Sequence, residues 1–168
     1  MHMKALERLI SERGVDASKA DTITRKLREA GKLPSGGRGA NAPQIGPREA
    51  AIFLIAVAGS PKAIDAPTRV EKLSKLRGDV DGHTFLEAMH GLLSDPGARQ
   101  NISEVRIART HRRAVIIREA GTDTYRPSSK NQRTGRLSVE GILDGELIRD
   151  VASALMAPSK ARGGAAHG

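Results

Sequence analysis

One segment of the sequence constrains the fold more than any other. Residues 50–59 read AAIFLIAVAG and contain no charged side chain. Read as a helix, this segment is apolar on nearly every side, which is typical of a helix buried in a protein core or in a dimer seam. It is about half as long as a membrane-spanning helix needs to be. We therefore expect a central core helix over residues 48–58, opened by Pro47, and no contact with a membrane.

The composition excludes several classes of protein. The chain has 168 residues and no cysteine, which rules out a disulfide scaffold, cysteine-ligated zinc and thiol catalysis. Its first residues interleave acidic and basic side chains where a signal peptide requires an apolar core. We therefore expect a cytoplasmic protein.

The periodicity of the first fifty residues predicts three short helices. Leu6, Leu9 and Ile10 give helical spacing over residues 3–13, and Gly14 follows in a position typical of a helix end. Asp16 or Ser18 would cap a short second helix, and a third would run from residues 21–22 to Ala30. Residues 32–47 hold four glycines and three prolines, which predicts a loop or tight β-turn.

The period changes in the second half of the chain. Helical patterns over residues 66–76 and 83–93 are followed by a segment of partial alternation, 102–109, and a β-branched run, 114–118, which together predict a hairpin. A third short strand is expected at 124–126, a strand or helix approach at 137–142 and a final helix at 144–156. The expected fold is mainly α with a small antiparallel β element (α+β). We expect a DNA-binding region at 1–60, a region for dimerisation or partner binding at 61–157 and a disordered tail at 158–168.

The distribution of charge favours an anionic partner. The net charge is +9, and it divides into +4 over residues 1–47, zero over 48–100 and +5 over 101–168. Aromatic residues, on which single-stranded nucleic acids stack, are limited to Phe53, Phe85 and Tyr125, and both phenylalanines are expected in the core. Double-stranded DNA needs no stacking platform, because arginine and lysine bind its phosphates and base edges. The alternative is a basic protein whose charge only aids solubility.

Three short helices with a basic third helix match the helix-turn-helix plan, in which the second helix of the motif enters the major groove. The glycine-rich loop is similar to the wing of a winged helix-turn-helix, and an arginine between glycines suits a narrow minor groove. The alternative is a three-helix bundle with a solvated basic face. The candidate DNA contacts are Ser18, Lys19, Thr22, Thr24, Arg25, Lys26, Arg28, Lys32 and Arg38.

Residues 24–39 read TRKLREAGKLPSGGRG, and this segment resembles small helix-turn-helix regulators encoded by phages, prophages and related mobile elements. The resemblance covers roughly residues 5–60. It implies sequence-specific DNA binding and transcription regulation in a bacterial cytoplasm, in association with the nucleoid. The C-terminal hundred residues resemble no family that we can identify.

The hairpin carries a second candidate contact surface. If Val105 and Ile107 point inward, Arg106 projects to the opposite face and the turn residues stand clear. Such a surface would bind the same DNA or an acidic protein, and its alternative is an exposed sheet edge kept soluble by charge. The candidate residues are Arg106, Arg109, Arg112 and Arg113.

No catalytic residues, metal ligands or cofactor motif stand out, so we expect no enzyme and no cofactor. The favoured function is a homodimeric, sequence-specific regulator that binds double-stranded DNA. The alternatives are a small terminase-like DNA-packaging subunit and an anti-repressor or polymerase-binding module.

Overall fold

The computed structural model describes residues 1–36, 42–128 and 139–157. The helices are α1 (Met3–Glu12), α2 (Ala17–Glu29), α3 (Pro47–Gly59), α4 (Ala66–Ser74), α5 (Phe85–Ser94) and α6 (Gly145–Met156), with a 3₁₀ turn at Ala63–Asp65. The strands are β1 (Arg77–Gly78), β2 (Ile102–Ala108), β3 (Ala114–Arg118), β4 (Gly121–Arg126) and β5 (Glu140–Asp144).

The expected α+β fold is confirmed. The five strands form one antiparallel sheet in the order β1-β4-β3-β2-β5. Helices α3 and α6 pack on β2 and β5 and cover one face of the sheet. Val105 and Ile107 point to that face and are fully buried, whereas Arg106 between them is exposed on the other face.

Helix α3 lies at the centre of the core, as its apolar sequence predicts. Every residue from Ala50 to Gly59 is buried, and the helix contacts α2, α4, α5, α6, β2 and β5. Helix α6 buries Leu147, Ile148 and Val151 in the same core. The apolar side chains of α3 and α6, which could also suit a dimer interface, are therefore covered by other elements of the same chain.

The prediction of three short N-terminal helices is wrong, because the second and third are one continuous helix, α2. Asp16 caps it by accepting a hydrogen bond from the Lys19 backbone N–H at 2.8 Å. No glycine or proline occurs between Ala17 and Glu29, so the residues expected to start a third helix simply extend the second.

The β-hairpin is confirmed, with β2 and β3 paired from Ile102↔Arg118 to Ile107↔Ala114. It does not form a sheet edge, since β5 flanks β2 and β4 flanks β3. The alternative of a charged edge strand is therefore wrong for this hairpin. The third strand is confirmed as β4. Of the segment 137–142, residues 137–138 lie outside the described residues, and residues 140–142 belong to a strand, β5.

A single hydrophobic core runs from Met3 to Ala152 and is not interrupted at the expected boundary near residue 60. Part of the glycine-rich loop, residues 37–41, lies outside the described residues, as does the tail 158–168. The described end of that loop pairs with the N-terminus, where Ile45 N–H donates to Met1 O at 2.8 Å. Within the described ranges, no helix has the length and apolarity needed to cross a bilayer.

Candidate nucleic-acid interface

Helices α1 and α2 are joined by a four-residue turn, residues 13–16, that is built by a Schellman motif. Gly14 has φ +93°, and its N–H donates to Ser11 O while Val15 N–H donates to Ile10 O. The left-handed conformation at Gly14 ends α1, and the Asp16 cap begins α2 immediately afterwards. A helix, a short glycine-containing turn and a second helix are the components of a helix-turn-helix.

The buried face of α2 is mainly apolar, whereas its outward face is polar and charged. Ile23 and Leu27 are fully buried, whereas Ser18 and Arg25 are exposed and Thr22 and Arg28 are half-buried. Acidic residues also lie on the outward face. Asp21 accepts a 2.6 Å bond from Lys4, and Glu29 accepts a 2.6 Å bond from Lys26.

These ion pairs leave Arg25 and Arg28 of α2 without an ion-pair partner among the described residues. The carboxylates of Asp21 and Glu29 bind lysines, and the pKa of each lies below its usual range, chiefly because of those lysine hydrogen bonds. Among the described residues, neither Arg25 nor Arg28 has a carboxylate within ion-pair distance. The guanidinium group of Arg25 therefore remains available to an anionic ligand, as do the terminal nitrogens of Arg28, whose Nε is buried, while Lys26 is already engaged.

Two predicted contacts of α2 do not lie on this face. Thr24 is only 2% exposed, so its side chain cannot reach DNA without rearrangement of the core. Lys19 is half-buried and lines a cleft beside the helix turn, where it faces Arg109. Arg38 lies outside the described residues.

The turn that ends α2 places Lys32 on a second surface. Gly31 has φ +65°, its N–H donates to Arg28 O at 2.9 Å, and Lys32 N–H donates to Leu27 O at 2.8 Å. This is a second Schellman motif, and it turns the chain towards α4. Two adjoining depressions that share Glu71 and Lys75 then connect Lys32 to the tip of the hairpin. We call this surface the basic groove; its cationic residues are Lys32, Arg48, Lys72, Lys75 and Arg112.

The electrostatics of the basic groove centre on Glu71. Lys75 donates to its carboxylate at 3.1 Å, and this bond, with the positive charges of Lys75, Lys32 and Lys72, lowers the pKa of Glu71. One carboxylate thus faces three lysines. Arg112 lies near another cation, since its positive charge contributes, after burial, to the lowered pKa of Arg69. Glu87 also lines the groove, so its five cationic residues exceed two carboxylates, Glu71 and Glu87.

The four candidate arginines of the hairpin have different roles. Arg112 lies in the basic groove, and Arg113 is exposed beside it in the turn. Arg106 donates to Glu104 at 2.7 Å on the open face of the sheet. Arg109 donates from Nε to Ala58 O at 2.8 Å and so stabilises the C-terminus of α3. The structure therefore does not bring the four together as one contact surface.

Sequence reasoning missed Arg48, Lys72 and Lys75. They lie in the segment with zero net charge, so a segment sum concealed them. The spacing of Lys72 and Lys75 on a helix was the available signal, because residues three apart lie on one face. Within the part of the chain that the structure describes, no group of three or more His, Cys, Asp or Glu is arranged to hold a metal ion.

Comparison of the chain with protein-family models, with curated proteins and with solved structures found no significant match.

Proposed function

We propose that this protein binds double-stranded DNA and regulates transcription, with α2 in the major groove and the basic groove along the phosphates. The observation that carries the proposal is the outward face of α2. It follows a short glycine turn, as the second helix of a helix-turn-helix does, and presents Arg25 and Arg28 without ion-pair partners among the described residues.

The aromatic residues support duplex over single-stranded nucleic acid. Phe53 and Phe85 are fully buried and Tyr125 is 2% exposed, and the chain has no other Phe, Tyr or Trp. No aromatic side chain can therefore stack on an unpaired base. Arginine and lysine binding to a duplex requires none.

The basic groove supplies a sequence-independent part of the interaction. Each phosphate that a lysine or arginine neutralises releases condensed counterions. Each such contact makes the negative slope of log K against log salt steeper by about 0.9. Loss of two groove contacts should therefore reduce the steepness of that slope by roughly 2. The regulatory role and the origin in a phage or mobile element rest on the resemblance of residues 5–60 to small regulators of such elements.

The experiment has two steps. Duplexes that bind the protein are first selected from a random library and sequenced, and affinities for the selected duplex and for an unrelated one are then measured by fluorescence anisotropy at several salt concentrations. Arg25→Ala or Arg28→Ala should weaken binding of the selected duplex by about 1–3 kcal/mol where the arginine contacts a base. Lys72→Gln with Arg112→Gln should instead weaken binding of both duplexes similarly and flatten the salt slope.

Arg106→Gln is the matched control. It removes one positive charge from the hairpin, but on the open face of the sheet, where the guanidinium is bound to Glu104. We expect little change in the affinity for either duplex. If neither arginine variant of α2 alters selectivity, the recognition-helix assignment is wrong. If the protein binds no duplex at low salt, the proposal fails and an acidic protein becomes the better partner for the basic groove.

A further inference from the structure

A cleft separate from the basic groove lies where the first two helices meet the end of the sheet. It is bounded by the turn between α1 and α2, the C-terminus of α3, strand β5 and the start of α6, and its volume is about 250 Å³. Its apolar lining comes from Ile10, Val15, Val57, Ile142 and Leu147, of which Val15 and Ile142 are the more exposed. The wall also carries five charged residues, Arg13, Asp16, Lys19, Arg109 and Asp144, so the cleft suits a ligand that has both an apolar part and a charged group.

Two cations face each other in this cleft. Lys19 enters from the first turn of α2 and Arg109 from the end of β2. Burial lowers the pKa of Lys19, and the positive charge of Arg109 lowers it further, whereas Asp16 acts in the opposite direction. Within the described ranges, neither cation has a carboxylate within ion-pair distance. Arg109 uses only its Nε, on Ala58 O.

Two acidic residues, Asp16 and Asp144, also line the cleft, and each accepts a hydrogen bond from the N–H of a helix start. Asp16 caps α2 through the Lys19 backbone N–H at 2.8 Å, and Asp144 caps α6 through the Leu147 N–H at 2.7 Å. Arg13, also on the cleft wall, is bound to Glu146 and Asp150 of α6. The carboxylates therefore support the helix ends around the cleft, and the ammonium and guanidinium groups of Lys19 and Arg109 remain for a ligand.

We propose that this cleft binds a small organic monocarboxylate with an apolar body. Its carboxylate would accept hydrogen bonds from Lys19 and Arg109, and its apolar part would displace water from Val15 and Ile142. Two like charges that are partly withdrawn from water repel each other, and a single negative charge between them removes that repulsion. This site is independent of the proposed DNA binding.

The test is a titration of ¹⁵N-labelled protein with sodium benzoate, followed by nuclear magnetic resonance. Benzoate should shift the amide resonances of Gly14, Val15 and Lys19 in a saturable manner. Benzamide, which has the same shape without the charge, should bind much more weakly. Lys19→Gln should weaken benzoate binding roughly tenfold, the amount expected for one hydrogen bond to a charged group.

Lys26→Gln is the control, because it removes a positive charge from the same helix at a residue that does not line the cleft. It should leave benzoate affinity unchanged. Equal binding of benzamide and benzoate, undiminished binding by the Lys19 variant, or no response of the cleft amides would overturn the proposal. Inorganic phosphate that shifts the same amides with an affinity equal to that of benzoate would also overturn it, since the apolar wall would then contribute nothing.

Discussion

Strand β5 crosses the end of the core helix at a distance that only glycine permits. A Cβ atom added to Gly141 would lie 2.0 Å from Ala58 O and 2.8 Å from Ala58 Cα, whereas ordinary contact begins at 3.4 Å. The φ of Gly141 is not in the left-handed region, so the obstacle to a side chain is steric. Gly141→Ala must therefore push β5 away from α3 by roughly 1.4 Å.

That displacement has a calculable cost. Gly141 lies opposite Ile107 in the β2–β5 ladder, and Ala58 O also accepts the 2.8 Å bond from Arg109. Overpacking costs about 1–3 kcal/mol and each disrupted hydrogen bond about 1 kcal/mol. With the Arg109 bond to Ala58 O disrupted, the expected loss is about 2–4 kcal/mol, a large fraction of the 5–15 kcal/mol typical of a domain. Urea unfolding followed by far-ultraviolet circular dichroism measures it.

Gly91→Ala is the matched control, and we expect it to raise the free energy of unfolding instead of lowering it. Gly91 lies inside α5, and a Cβ atom there would meet nothing within 4 Å. Alanine is favoured over glycine in a helix by about 1 kcal/mol, so this variant should be more stable than the parent. The close crossing of β5 over α3 is refuted if Gly141→Ala costs less than about 1 kcal/mol, the average for substitutions in general.

Two further predictions concern single side chains, the buried Tyr125 and the half-buried Arg69. Burial, followed by the negative charges of Asp123 and Asp81, raises the pKa of Tyr125 from 10.0 to about 12. The resulting stability is fully present below pH 10 and is lost as the pH rises through about 12. Since Tyr125 is the only tyrosine, near-ultraviolet absorbance of the phenolate follows it alone, and ionisation near pH 10 in the folded protein would contradict the prediction. Arg69→Met should cost about 2–4 kcal/mol in urea unfolding, because Gly59 O and Ala108 O lose donors at 3.0 and 2.6 Å. Arg69→Lys keeps one donor and should cost less, and a loss below about 0.5 kcal/mol for Arg69→Met would be inconsistent with this role.

The parts of the fold that could be predicted depend on local signals. The apolar run predicts α3, partial alternation and a β-branched run predict β2 and β3, and the apolar periodicity that follows Asp144 predicts α6. The division of α2 into two helices failed because Asp21 and Thr22 are good capping residues in isolation, yet nothing in the chain interrupts the helix before them. Likewise, composition cannot show that Arg109 is engaged by Ala58 O, because that bond joins residues 51 positions apart.

The basic groove shows why the net charge of a sequence segment does not indicate where positive charge lies on the folded protein. Residues 48–100 are neutral in sum, yet Arg48, Lys72 and Lys75 from that segment lie in the groove. Several of its acids lie elsewhere: Asp79 and Asp81 follow β1, and Asp95 caps the end of α5. The fold thus separates charges that the sequence places together, and it joins Lys32 from the N-terminal helices to Arg112 from the hairpin through α4. One basic residue from each end of the chain, Lys32 and Arg112, therefore lies on the same surface as three cations of the neutral segment, Arg48, Lys72 and Lys75.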